Sequence, residues 1–392
     1  MKPFEIKKDV FWVGGIYWDL RNFHSYLTQR GSTYNSYLII DKKIVLVDTV
    51  KHYLYDEMLE RIKKVIDPSK IDYIISNHVE MDHSGSLPKI LDIAKNAVVI
   101  TSPNGEKGLK RHYKKDWNFK VVNSGDSINI GKRNLNFVLA QMVHWPDSMV
   151  TYIPEDKLLL SNDAFGQHIA SQERYDDEIG WDIVKEESKK YYANIVLPYG
   201  AQVNKLLESA SGLSLDMIAP SHGLIWRKNI NNIIEEYKKW ANNKTENKAV
   251  IIYDTMWGST EKITYAIKDI FEDNNILVNI KNLKTNHISD IMTDIIDSKY
   301  ICIGSPALNN NVLPTISSFL TYLKGLSPKN RIGLAFGSYG WAPASINEIE
   351  KIINELKWQK LTDSIKINYI PDNNELNEVK NLVNNALKTG GQ

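Results

Sequence analysis

Apolar residues in the first half of the chain gather into short runs bounded by polar or turn-forming residues. They are KIVLVDTV (43–50), IDYIISNH (71–78), NAVVITSP (96–103), NLNFVLAQMVH (134–144), KLLLSND (157–163) and DMIAPSH (216–222). Runs of this length, rich in Ile, Val and Leu, predict strands. YDEMLERIKKVI (55–66) and NINNIIEEYKKW (229–240) instead space their apolar residues by three and four, which predicts amphipathic helices. At WANNKTENK (240–248) all periodicity is lost. A domain boundary is expected there, separating residues 1–247 from 248–392.

Beyond it the pattern becomes regular: strand AVIIYD (249–254), helix EKITYAIKDIF (261–271), strand KYICIG (299–304), helix TISSFLTYL (315–323), strand RIGLAFG (331–337), helix INEIEKIINEL (346–356) and strand SIKINYI (364–370). Buried strands alternating with helices predict a doubly wound parallel sheet with right-handed crossovers.

Composition narrows the function classes. The 392 residues suit two domains, and 43% hydrophobic with 24% charged residues is the balance of a globular protein. With a net charge of +1 and only short basic pairs such as Lys63-Lys64 and Lys114-Lys115, the chain carries no nucleic-acid footprint. No apolar run approaches the ~20 residues of a membrane span, and MKPFEIKKDVFWV has no signal-peptide core, so a cytoplasmic protein is expected. Cys302 is the sole cysteine, which excludes an internal disulfide and any thiolate-held iron, a fused rubredoxin-type centre included. A metal must rest on His, Asp and Glu.

Such residues cluster in NHVEMDHSGSLP (77–88), where His78, Glu80, Asp82 and His83 fall within six positions. The alternative, a charged N-cap region for the helix at LPKILDIA, does not account for two histidines beside two carboxylates. Three further runs end on a metal-capable side chain: FVLAQMV on His144, KLLLSN on Asp163 and MIAPS on His222. A single histidine after a strand is more often a solvated or satisfied polar group, as His52, His112 and His287 caution. Four runs ending this way can nonetheless converge on one crevice. Seven candidates exceed one tetrahedral site and suit a pair of metals, with Asp163, alone on its own strand end, able to bridge them.

In these segments the chain resembles the flavodiiron proteins over essentially its whole length. Zinc hydrolases of the metallo-β-lactamase superfamily carry His-x-His-x-Asp-His, where this chain has His78-Val-Glu80-Met-Asp82-His83. HWPDSM (144–149), SNDAFG (161–166) and PSHG (220–223) also resemble family segments. The resemblance implies a metallo-β-lactamase-like αββα sandwich followed by a flavodoxin-like domain. It implies one iron on His78, Glu80 and His144, a second on Asp82, His83 and His222, and Asp163 bridging. Glu80 in place of an imidazole makes the site harder and more anionic, which favours iron over zinc. His24, His168 and Tyr199 match places where the family carries pocket residues, so proton donation or hydrogen bonding near the irons is expected of them.

The second half carries three loops after strands. In TMWGST (255–260), Thr255, Met256, Trp257, Gly258, Ser259 and Thr260 form an uncharged, hydroxyl-rich turn before a helix, suited to cradling a phosphate. It matches neither the Walker loop nor GxGxxG. The resemblance extends to SPALNNNVLP (305–314) and GSYGWAPA (337–344). It implies FMN held also by Pro306, Ala307, Leu308, Asn309, Ser338, Tyr339, Gly340, Trp341 and Ala342, with Trp257, Tyr339 and Trp341 flanking the ring. The chain departs from the family at Ala342-Pro343, where a glycine is usual. Ser345 and Glu348 form a capping-box pattern for the next helix.

The resemblance therefore implies an oxidoreductase that reduces dioxygen to water, nitric oxide to nitrous oxide, or both. It further implies a head-to-tail homodimer or a dimer of dimers, and an external electron donor: a rubredoxin, its reductase or a reduced deazaflavin cofactor. No rubredoxin or reductase segment follows Gln392, so a separate donor is expected. Two rivals remain at this stage, a dinuclear hydrolase with an attached flavodoxin domain and an electron carrier with an inert first half.

Overall fold

The computed structural model describes residues 2–390. They divide into two units: one takes in residues up to His24, Thr28–Tyr191 and Ala201–Lys238, the other Ser25–Leu27, Tyr192–Gly200 and the chain from Lys239 onward.

The first unit holds two sheets. In spatial order the seven-stranded one runs Phe4–Lys7, Val10–Trp12, Tyr37–Ile39, Val45–Val47, Tyr73–Ile75, Val98–Thr101 and Phe119–Val121. Its first half is antiparallel, and it becomes parallel from Val45–Val47 onward. The five-stranded sheet runs Ser127–Asn129, Asn134–Leu139, Met149–Ile153, Leu158–Asn162 and Met217–Pro220, with only its last pair parallel. Side chains alternate faces along a strand. Val45, Val47, Ile75 and Ile100 of one sheet therefore meet Phe137, Met149, Leu158 and Leu160 of the other in a common core. Leu46, Ile74 and Val99 point the opposite way and pack on helix residues Met58, Ile62, Ile90 and Leu109. The expected αββα layering follows from this alternation.

The second unit is a sheet ordered Leu277–Asn282, Glu246–Tyr253, Ser298–Gly304, Ile332–Tyr339, then Gln359–Lys360 and Ile365–Asn368, parallel throughout. Numbered along the chain this order is 2-1-3-4-5, whose crevice opens beyond the strand ends beside the first strand. Ile251, Tyr253, Cys302 and Phe336 bury one face against helices Ser259–Asp273 and Asn373–Thr389.

Three expectations need correction. The run 134–144 is not one strand: its last ladder pair is Leu139 with Met149, and the chain then turns, Val143 donating to the Ala140 carbonyl and Met142 to that of Trp145. His144 thus sits on a loop, because a tight antiparallel return needs residues outside the ladder. The edge strand Leu277–Asn282 and the helix Ile288–Ile295 went unannounced, the strand because its apolar run, residues 276–278, is short and broken by Asn279, as suits a half-exposed edge. Ser345 and Glu348 form no capping box. The helix Ala344–Glu355 starts two residues earlier, on Pro343 without a side-chain cap, since the buried Ser345 hydroxyl donates instead to the Ser305 carbonyl (3.2 Å).

Candidate metal centre

Loops at one end of the two sheets of the first unit gather all seven expected ligands. His78 lies three residues past Tyr73–Ile75, Glu80 precedes the short helix Met81–Ser84, and that turn carries Asp82 and His83. Asp163 directly follows Leu158–Asn162, and His222 stands two residues past Met217–Pro220. Both nearest neighbours of Asp163's strand end are anchored: Ser221 N–H donates to the Asn162 carbonyl, and Asn162 Nδ2 donates to Ser221 Oγ (3.1 Å).

The Asp163 carboxylate divides the site. Its Oδ2 lies 3.7 Å from His78 Nε2 and 3.4 Å from His144 Nε2, and Glu80 Oε2 is 3.4 Å from each of those nitrogens. Its Oδ1 lies 3.0 Å from His83 Nε2 and 3.4 Å from His222 Nε2. Asp82 is 3.4 Å from His83 and 3.2 Å from His222. Metal–ligand bonds of about 2.1 Å at angles between octahedral and tetrahedral separate neighbouring ligands by about 3.0–3.4 Å, so two triads facing one carboxylate fit two ions. A second observation agrees. His78 Nε2, both ring nitrogens of His83, Asp82 Oδ1 and both Asp163 oxygens are buried and lack any hydrogen-bond partner among the described residues. Buried polar atoms are almost always satisfied, and cations in the site would satisfy all of these but His83 Nδ1, which lies on the far side of its ring.

Without a cation, protons must balance the charge. Burial opposes charge on His83, but Asp82 and Asp163 outweigh it and hold the ring's pKa up at about 9. Burial likewise opposes charge on Asp163, yet His83, His144 and His78 keep it well below the usual carboxylate range. A further ring of contacts fixes the ligands. Asp147 accepts from Val79 N–H (2.8 Å) and lies 2.9 Å from His78 Nδ1, the carboxylate–histidine pairing that sets a ligand's tautomer. His222 Nδ1 donates to the Thr33 carbonyl (3.0 Å). Buried Asp48 accepts from Asn77 N–H (2.8 Å), and Thr49 donates twice to the His83 carbonyl.

Among the expected pocket residues, His24 is exposed with Nε2 3.3 Å from Glu80. His168 is buried, its Nδ1 2.7 Å from Ser32 Oγ and its ring 4.9 Å from that of His222. Burial and the neighbouring His222 push its pKa well below the ordinary value, so the ring is neutral. After helix Trp181–Tyr191 the wide turn Tyr192–Val196 carries the chain into the second unit, and Tyr199 goes with it. A tyrosine that sequence reasoning did not name, Tyr191, lies 5.2 Å from His168 and 6.0 Å from His222. Sequence reasoning also missed Asp147, three residues after His144, and Lys51. The Lys51 ammonium lies 5.0 Å from the Phe23 ring, 5.2 Å from Tyr34 and 5.8 Å from Tyr53. Burial lowers its pKa against the pull of Asp82 and Glu80. No spacing rule flags a lysine some thirty residues from the nearest ligand.

In the second unit the loop 255–260 precedes helix Ser259–Asp273, whose N-cap Gly258 has φ +85°. A Cβ there would meet nothing within 4 Å. Gly258 N–H donates to Thr255 Oγ1 (3.0 Å), while Thr260 Oγ1 is buried without a partner among the described residues. An open cradle with an unused hydroxyl at a helix N-terminus fits a phosphate. Trp257 is 91% exposed and Trp341 80%, so both present ring faces for a planar group. Trp341 Nε1 donates to Asn310 Oδ1 (3.1 Å), and Ala307 N–H donates to the Ser338 carbonyl, linking the second and third loops.

Comparison with known proteins agrees with both halves. The model of the ODP family beta lactamase matches residues 33–223, and that of flavodoxin residues 251–381. A nitric oxide reductase of Moorella thermoacetica is 42% identical, over 92% of each chain. The rubredoxin oxygen:oxidoreductase structure from the anaerobe Desulfovibrio gigas superposes with a TM-score of 0.96 at 38% identity, covering 99% of both chains. The flavodiiron protein structure from Giardia intestinalis gives 0.94 at 32%, covering 99% of this chain and 96% of that one.

Proposed function

The chain belongs to the flavodiiron proteins, and on that premise we propose that it reduces dioxygen, nitric oxide or both, with His78, Glu80 and His144 holding one iron, Asp82, His83 and His222 the other, and Asp163 bridging. The observation that carries the reading is the division of Asp163, one oxygen toward each triad. When bound, the irons supply a redox centre for a small oxidant and FMN supplies one- and two-electron transfer. The chain's own residues prepare the site. Glu80 adds a negative charge that lowers the cost of holding oxidised iron. Asp147 and the Thr33 carbonyl fix the faces that His78 and His222 present.

His24 brings a third imidazole nitrogen to Glu80, from the solvent side, where it can pass protons inward. His168, neutral and held by Ser32, offers a hydrogen bond without adding charge. Thr255, Gly258, Ser259 and Thr260 cradle the FMN phosphate, with Trp257, Tyr339 and Trp341 beside the ring. We take residues 1–247 and 248–392 as the two functional domains. The family supports a head-to-tail homodimer or dimer of dimers. The relative's name, rubredoxin oxygen:oxidoreductase, supports rubredoxin as donor ahead of its reductase or a reduced deazaflavin cofactor. No helix among the described residues is long and apolar enough to cross a membrane.

The test is an anaerobic comparison of dioxygen and nitric oxide consumption by the reduced, iron-loaded protein. Consumption of at least one gas is expected. Zinc in place of iron, with esterase or lactamase turnover, would overturn the reading.

A further inference from the structure

The outward face of the five-stranded sheet carries a cavity of about 360 Å³, roofed by the helices Gly200–Ser209 and Ile230–Ala241 and the segment after the first of them. That is near the lower end of the range of about 300–1,000 Å³ for small-molecule sites. Its floor is Val138, Val150, Leu159 and Ile218, with Leu206 and Ile234 above. The hydroxyls in its lining are used internally. Ser161 donates to the Ala164 carbonyl (2.7 Å), Tyr152 to Ser214 (2.8 Å), Ser209 to Leu206 (2.8 Å) and Ser211 to Glu208 (2.7 Å). The charged groups, Glu235 and Lys238, pair with each other at 2.7 Å. Apart from Asn231 at its exposed rim, the lining therefore offers a guest mostly apolar contact. The cavity opens to solvent on the side of Glu235 and Lys238, and its apolar floor is the kind of surface that takes up apolar guests such as xenon.

One wall joins this cavity to the metal centre. Ala164 and Phe165, the two residues after the bridging Asp163, line it. Phe165 has φ +66° and Asn162 φ +54°, backbone that a bulky side chain adopts at a cost of about 1–3 kcal/mol when the surroundings impose it. They do so here. Phe165 N–H donates to Tyr237 Oη (2.7 Å), its carbonyl accepts from Trp226 Nε1 (2.9 Å), and its ring stacks on Tyr237 at 4.4 Å. The strained loop thus presents Asp163 to the ligands and Phe165 to the cavity.

We propose that this cavity is a holding site for the apolar diatomic gas that the metal centre consumes, raising its local concentration one loop away from Asp163. The inference rests on the function proposed above. Dioxygen and nitric oxide are small, weakly hydrated and lack strong hydrogen-bonding groups, which matches a floor built of Val138, Val150, Leu159 and Ile218.

Xenon-pressurised crystals of the full-length protein test the site directly, and xenon density between Leu159 and Leu206 is expected. The double variant Leu206→Trp/Leu213→Trp, on the half-buried roof, should lose that density. With unchanged iron and FMN content, it should show a several-fold higher KM for the gas at unchanged kcat. No xenon in the wild-type cavity, or an unmoved KM in a filled variant, overturns the proposal. Failure of the underlying function would show separately, as iron-loaded wild type that consumes neither gas.

Discussion

The metal centre and the flavin loops solve opposite problems. At the metal centre three carboxylates and four histidines converge, nearly all buried, and neighbouring groups fix several of them before any ion arrives: Asp147 beside His78, Thr33 on His222, Thr49 on the His83 backbone. The flavin loops keep Trp257 and Trp341 in solvent and hold their shape through backbone turns. The difference follows from the ligands. An ion must be matched in charge and distance by groups that, without it, depend on shared protons to balance their charge, so the fold has to impose their positions. A flavin brings a large apolar surface and a phosphate, and it completes a surface left open for it.

Substitutions should separate the two regions. The largest effect is expected from Asp163→Ala, which removes the one carboxylate common to both triads. Consumption of either gas should vanish and iron content fall, while flavin absorbance stays as in wild type. Unchanged turnover would remove Asp163 from the bridging role. Next is Asp147→Asn, expected to weaken iron binding about 10- to 100-fold in a chelator competition, again with FMN retained. Gly258→Val works the other side. A branched residue forced into φ +85° costs about 1–2 kcal/mol, so flavin affinity should drop roughly tenfold by fluorescence titration, with iron content unmoved.

A smaller effect concerns pH and distinguishes the regions without mutation. In metal-free protein the folded-state pKa of His83 is raised to about 9, against about 6.5 unfolded. Its stabilisation is complete below about pH 6.5 and is lost as pH rises toward 9. Asp163 is depressed, so its contribution is present above its unfolded value of about 3.9 and lost in acid. The thermal midpoint of metal-free protein should therefore fall between pH 6.5 and 9, while the iron-loaded form, whose ligands are already deprotonated, should lack that decline. Equal slopes for the two forms would sink the assignment.

Much of this was legible in the chain. The second unit announced itself because its central strands are buried on both faces, which writes continuous apolar runs such as AVIIYD and KYICIG into the sequence. Its edge strand Leu277–Asn282 is half exposed and left no such mark. The candidate ligands were legible because four of them share a short, dense motif and three others follow apolar runs. Tyr199 follows the turn at Tyr192–Val196 into the other unit, a path that no residue pattern announces. Tyr191, Asp147 and Lys51 went unseen because their roles are contacts, and contacts leave no spacing.

What the sequence by itself determined is chemistry: the absence of thiolates beyond Cys302, a carboxylate at Glu80 where an imidazole would suit zinc, and strand ends that terminate in ligands. What the tertiary structure alone decided is pairing: which Asp163 oxygen faces which triad, which nitrogen of His78 and His222 is left for a metal, and that the loop aiming Asp163 also walls an apolar cavity. Residue types are fixed by covalent structure, whereas distances of 3 Å between groups far apart in the chain exist only once two sheets have packed and their loops are held in place.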